Sequence, residues 1–196
     1  MRPHVCPWWG GYFIDNRLRR LLHRPERILA PFLQEGDTAI DFGCGMGFFS
    51  IAMARLVGPQ GRVISIDLQQ QMLDVLAKRA AKAELAERIR THRCEVDRIH
   101  LQAAADFALA FYSLHEAPQP QQTLDQIHDL LRPGGALLLV EPIGHVRAAH
   151  FDDLLDMGRQ AGLTAEQRPR VRLGHAALLR KSNAGQPATS PRSGGS

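Results

Sequence analysis

The sequence predicts an α/β domain, a mostly parallel sheet covered by helices. Two observations predict it. Short strand-like apolar segments alternate with longer helix-like ones along the chain. The first strand also runs into a glycine-rich loop that opens a helix. The 196 residues are enough for one domain with a substantial core, and the composition is ordinary for a globular protein.

Thr38–Gly43 (TAIDFG) is read as the first strand, ending at glycine. Gly47–Leu56 has helical spacing, with Phe48, Ile51, Ala52 and Leu56 expected to face inward. Arg62–Leu68 (RVISIDL) is the second strand. The helix over Gln69–Leu85 should bury Met72, Leu73, Leu76 and Ala80. A weaker strand covers Ile89–Cys94, and Asp106–Leu114 (DFALAFYSL) is a buried one. Leu124–Leu131 is an amphipathic helix expected to stop at Pro133-Gly134-Gly135. Ala136–Glu141 (ALLLVE) is a central strand, Phe151–Ala161 a helix closed by Gly162, and the last two strands fall near Thr164–Arg168 and His175–Arg180, the second as a hairpin partner.

Both ends differ from this middle. Met1–Phe13 holds Trp8, Trp9, Tyr12 and Phe13, and leads into a basic helix around Asn16–His23, broken at Pro25; a second helix covers Glu26–Phe32. We expect residues 1–35 to act as a lid over the 36–181 domain, because a nearby apolar pocket would draw the aromatics out of water. Residues 182–196, rich in Gly, Pro, Ser and Ala, are expected to be disordered.

Charge and composition narrow the function classes. The net charge is +4, but the basic residues concentrate late: Arg168, Arg170, Arg172, Arg180, Lys181 and Arg192 oppose one acid, Glu166, from Thr164 onward. The rest of the chain is close to neutral, so a nucleic-acid partner is not indicated. The longest purely aliphatic run, Ala136 to Val140, is far too short to span a membrane, and Met1–Gly11 lacks the apolar stretch of a signal peptide. A cytoplasmic setting is the default. Cys6, Cys44 and Cys94 are too widely spaced for a disulfide framework or a zinc knuckle, and no metal site is expected.

The chemistry concentrates in Asp41-Phe42-Gly43-Cys44-Gly45-Met46-Gly47. Glycines here permit a tight turn and let a ligand approach the backbone. The pattern is G-x-G-x-G, with Phe48 where the dinucleotide fingerprint has its third glycine. Asp41, two residues ahead of the first glycine, would repel a pyrophosphate but suits the ammonium of an amino-acid ligand. That favours S-adenosylmethionine. Asp67, at the tip of the second strand, can accept hydrogen bonds from both ribose hydroxyls.

These residues, together with VISIDL at 63–68, DFALAFYSLHE at 106–116 and the LRPGG and LLLVEP segments across 131–142, resemble the class I S-adenosylmethionine-dependent methyltransferases. The likeness is to small single-domain members similar to ubiquinone/menaquinone-type methyltransferases. The resemblance implies a Rossmann-like, seven-stranded, mostly parallel sheet with helices on both faces and the last strand antiparallel. It implies an adenosyl ligand across the carboxyl ends of the first and fourth strands. Asp41, Gly43 and Gly45 would line the methionine part and Asp67 the ribose, with Cys44, Gly47 and Leu68 as further cofactor-binding residues. An acid after the third strand would meet the adenine; Glu95 and Asp97 are the candidates, and Glu95, nearer the strand end, is preferred, with Val96 beside it. Phe111 at the end of the fourth strand completes the cofactor set.

Methyl transfer from a sulfonium is an in-line displacement, so positioning supplies much of the rate and a base is needed only where the acceptor must lose a proton. His115 is the candidate base and Tyr112 the second catalytic candidate, both just past the fourth strand; Glu141 and His145 are further acceptor-side candidates or loop anchors. The expected acceptor is a small molecule. Two rivals remain: a non-catalytic S-adenosylmethionine-binding protein, and an NAD-dependent oxidoreductase, against which Asp41 and Phe48 both count.

Overall fold

The computed structural model describes residues 23–183. The expected helix before His23, the aromatic segment at Met1–Phe13 and almost all of the expected C-terminal tail lie outside them.

Seven strands form one sheet in the order β3-β2-β1-β4-β5-β7-β6. They are β1 (Thr38–Phe42), β2 (Arg62–Asp67), β3 (Ile89–Arg93), β4 (Ala105–Phe111), β5 (Leu131–Pro142), β6 (Leu163–Gln167) and β7 (Gly174–Lys181). The first five run parallel, while β7 lies antiparallel between β5 and β6. The helices are α1 (Pro25–Leu29), α2 (Phe48–Leu56), α3 (Gln70–Lys82), α4 (Pro120–Leu130) and α5 (Ala148–Gln160).

The apolar strand runs make sense because both faces are covered. Successive residues of β5 go to opposite sides: Leu137 and Leu139 join Leu124 and Ile127 of α4 and Phe151 and Leu154 of α5. Ala136, Leu138 and Val140 join Leu29, Phe49 and Met53 on the α1–α2 side. α3 sits on that second side as well, with Leu76 against Gly47 at the start of α2.

The expected inward face of α3 is the observed one. That of α2 is not. Phe49, Ala52 and Met53 are buried, whereas Phe48, Ile51 and Leu56 are only half-buried. FFSIAMARL is apolar almost all round, so its periodicity selects no face. The helix near 124–131 begins four residues earlier, at Pro120, whose fixed φ suits the first helical position. It ends at Leu130, and Pro133-Gly134-Gly135 instead loop out within β5, between the Ala105–Leu131 and Phe107–Ala136 pairs. The strand expected to reach Leu114 stops at Phe111. Tyr112 turns the chain with φ +59°, and Leu114–Glu116 make one 3-10 turn.

Candidate active site

Winding reverses between β1 and β4, with β2 and β3 on one side and β5 on the other. The crevice beyond the carboxyl ends of these strands is where an open α/β sheet places its ligand. A cavity of about 440 Å³ lies there.

The loop after β1 is held from two sides. Gly43 and Cys44 both donate backbone N–H bonds to the Ile66 carbonyl. Gly43 has φ +70°, and a Cβ there would lie 2.4 Å from the Ser113 Cβ. Its lack of a side chain therefore lets β1 and β4 end side by side. Gly45 differs: φ is +53° but a Cβ would meet nothing within 4 Å. That space belongs to the cavity, which Gly45 lines.

Asp67 ends β2 and accepts the Gly45 N–H on Oδ2 and the Gln69 N–H on Oδ1, both at 2.9 Å. Burial, only partly offset by those backbone donors, raises its pKa above the ordinary carboxylate value. Asp41 is 2% exposed, and its Oδ2 accepts from the Ser50 hydroxyl of α2 at 2.5 Å. Two acids thus stand at the tips of neighbouring strands beneath a glycine loop.

On the other side of the crevice, Glu141 near the end of β5 is fully buried. Its Oε1 accepts the backbone N–H groups of Leu114 and His115 at 3.0 and 3.3 Å, and its Oε2 contacts His115 Nδ1. The bond to Glu141 raises the His115 pKa above its ordinary value, outweighing the opposite effect of burial. Burial likewise raises Glu116. The His145 ring lies 6.0 Å from that of His115.

Of the sequence candidates, Asp41, Gly43, Cys44, Gly45, Asp67, Leu68, Glu95, Val96, Phe111, Tyr112 and His115 line the cavity. Gly47 does not; it sits behind the loop against Leu76. Asp97 does not either. The Glu95 side chain is largely exposed, 3.4 Å from His100. The Tyr112 hydroxyl donates to the Leu173 carbonyl at 2.9 Å, which ties it to the β6–β7 hairpin. Both described thiols line the cavity, and burial pushes both toward the protonated form: Cys44 rises well above its ordinary pKa and Cys94 to about 11. Among the described residues no cluster of His, Cys, Asp and Glu is arranged to hold a metal ion, and no helix is long and apolar enough to cross a membrane.

Sequence reasoning missed Gln69, Met72, Cys94 and Thr123 as cavity residues. Met72 carried a signal in the inward face of α3, but nothing local says that this face reaches a ligand space. Because β7 runs antiparallel, Gly174 pairs with Pro142, and the hairpin loop bearing Arg170 and Arg172 comes to the same edge of the sheet. There the Arg172 carbonyl meets His23, and His23 meets Tyr112.

Comparison with known proteins agrees with this architecture. Residues 33–168 match the family model described as a methyltransferase domain. The chain is 33% identical over 112 residues to the demethylmenaquinone methyltransferase of Lactobacillus johnsonii, covering 56% of this chain and 45% of that one. It is 26% identical over 124 residues to the protein of that name in Oceanobacillus iheyensis, covering 61% and 52%. The chain thus spans about half the length of these curated relatives. Among solved structures, a SAM-dependent methyltransferase from Aquifex aeolicus superposes with a TM-score of 0.81, covering 90% of this chain and 99% of that one. At 22% identity that likeness shows the fold. The family match covers most of the chain, and on that ground this chain belongs to the methyltransferase domain family.

Proposed function

We propose that the chain is an S-adenosylmethionine-dependent methyltransferase acting on a small-molecule acceptor. One observation carries the reading: Asp41, next to last in β1, and Asp67, last in β2, lie on neighbouring strands beneath a glycine loop whose middle glycine opens onto the cavity. Asp41 there repels a pyrophosphate, while Asp67 suits the ribose of either cofactor. Together they suit a ligand with an ammonium, a sulfonium and ribose hydroxyls.

In this reading Asp41, Gly43, Cys44 and Gly45 hold the methionine part, and Gly47 serves by turning the chain into α2. Asp67 takes the ribose, with Leu68 and Val96 against the adenine and Glu95 at its edge. Phe111 forms the cavity floor. Tyr112 and His115 face the acceptor, Tyr112 as an aromatic wall fixed by its bond to Leu173. The relatives are named for a small molecule, demethylmenaquinone, which supports an acceptor of that size class. The described cysteines are unpaired, which suits the reducing cytoplasm.

The N-terminal lid belongs to this proposal in a narrower form. Leu29 and Leu33 are core residues, so the lid is residues 1–22 rather than 1–35. Its support is His23, 5% exposed, with its ring edge-on to Phe111 at 5.3 Å. The chain enters the described fold on the acceptor side of the cavity.

The test is thermal denaturation with S-adenosylhomocysteine and, separately, NADH. A ligand that binds only the native state raises the melting temperature, by about 2.7 kcal/mol of stability at a hundredfold excess over Kd. S-adenosylhomocysteine is expected to produce the shift and NADH none. The reverse result would replace this reading with the oxidoreductase one.

A further inference from the structure

We propose that the β6–β7 hairpin turn and the loop after β5 form a docking surface for an anionic lipid bilayer. Leu173 and Ile143 enter the headgroup layer, and Arg147, Arg170 and Arg172 meet its phosphates. The proposal goes beyond the methyltransferase reading and does not depend on what the cavity holds.

The argument begins with Leu173. Three large apolar side chains stand exposed among the described residues. Val96 lines the cavity. The other two, Ile143 and Leu173, are 54% and 56% exposed, and their backbones are joined: the Ile143 N–H donates to the Leu173 carbonyl at 3.1 Å. A single exposed apolar side chain is ordinary, but two held together at one spot mark a contact surface. Leu173 also breaks a second local rule. It is the third residue of the turn that the Gly174 N–H closes on the Val171 carbonyl, and its φ is +59°. Turns with a positive φ at that position take glycine or asparagine, because a Cβ is strained in left-handed backbone. Leucine here costs the fold twice, in strain and in apolar surface left in water. Such a cost points to a contact made outside the fold. The tip is also held in place, since the Leu173 carbonyl takes the Tyr112 hydroxyl as well, at 2.9 Å.

Charge identifies the partner. Residues 142–150 and 168–175 contain no acid, and they carry Arg147, Arg168, Arg170 and Arg172. Because β7 runs antiparallel between β5 and β6, both segments leave the same edge of the sheet. Arg168 is committed to Asp152 at 2.9 Å and lies over the Phe151 ring. Asp153, the other acid at the start of α5, faces His150. Arg147, Arg170 and Arg172 are exposed and pair with no acid among the described residues. Beside the turn lies a groove of about 420 Å³, lined by Arg168, Arg170 and His175 together with Val171 and Ala176. Unspent cations around two exposed aliphatic tips match an anionic bilayer: its phosphates pair with the guanidinium groups, and its acyl boundary takes the tips. A nucleic acid would use the arginines but leave Leu173 and Ile143 without a role.

Cosedimentation of the full-length protein with vesicles tests this. Equimolar phosphatidylcholine and phosphatidylglycerol should carry the protein down, pure phosphatidylcholine should not, and added salt should release it. An arginine at an anionic leaflet is worth roughly fivefold in binding, so Arg170→Ala with Arg172→Ala should weaken it on the order of 25-fold. Leu173→Gly and Ile143→Ser should each weaken it by roughly tenfold. Glycine suits the positive φ, so the melting temperature of Leu173→Gly should not fall.

Equal binding to the two vesicle types, or no binding to either, overturns the proposal. So does full binding by the arginine variant, which would place the membrane contact elsewhere on the chain. A lowered melting temperature in Leu173→Gly would mean that Leu173 serves the fold, and overturns the argument from its cost. Displacement from the vesicles by a double-stranded oligonucleotide, with Leu173→Gly and Ile143→Ser binding vesicles as the wild type does, would assign the arginines to nucleic acid instead.

Discussion

Asp67 serves two masters at once. Its carboxylate shapes the loop through the Gly45 and Gln69 N–H groups, and in the proposed function it is also the group offered to the ribose. Asp67→Ala should therefore lose about 1–3 kcal/mol of donor affinity by calorimetry, as buried polar partners are left unpaired. Unchanged affinity would mean that the ribose lies elsewhere. His115 makes a different prediction, in pH. Its folded pKa is raised, so its bond to Glu141 contributes stability that is fully present below the unfolded value near 6.5 and is lost as pH rises through the folded pKa. Urea midpoints should fall across that interval, and the slope should be smaller in His115→Gln. Glu116, also raised, contributes a slope of the same sign, so the part removed by His115→Gln is the part that belongs to His115. Asp41, Asp67 and His115 were legible because each sits next to a recognisable loop or strand end. Glu141 was legible only as an ambiguous acid: its partners are 26 and 27 residues away, and no local pattern encodes that distance.

The glycine loop shows how one motif divides its work between elements. Gly43→Ala places a Cβ 2.4 Å from that of Ser113, two residues past β4, an atom that moves only with its backbone, and does so at φ +70°. It should cost on the order of 2–4 kcal/mol of stability in urea, from left-handed strain plus overpacking. Gly45→Ala meets open space and should cost only about 1–2 kcal/mol from its φ. Its penalty should appear as lost donor affinity, because the methyl occupies cavity. Equal effects of the two changes on folding and on binding would contradict this division. Element type was readable wherever period and punctuation agreed, as in α3. It failed where a helix was apolar all round, as in α2, and where Pro133-Gly134-Gly135 served a strand loop-out rather than a helix end.

At the scale of the whole molecule, the proposed lid is expected to be separable from the fold. The described residues already contain clusters on both faces of the sheet. Deleting residues 1–13 should leave the melting temperature and most S-adenosylhomocysteine affinity intact, while turnover of the small-molecule acceptor falls sharply. Loss of folding would make Trp8 and Trp9 core residues, and normal turnover would exclude a lid. The sequence by itself determined the alternation of strands and helices, the glycine loop and the acids at two strand tips. Each of these is written in neighbouring residues, where period, turn chemistry and charge act over short range. Only the tertiary structure decided what those pieces face. It set the order of strands, which put β1 beside β4 and opened the crevice. It brought the backbone of the β6–β7 hairpin loop against Tyr112, through an antiparallel strand. It also joined Glu141 on β5 to His115 after β4. The reason is physical: burial and hydrogen bonding across a sheet depend on which strands become neighbours, and that is settled by packing the entire apolar surface at once.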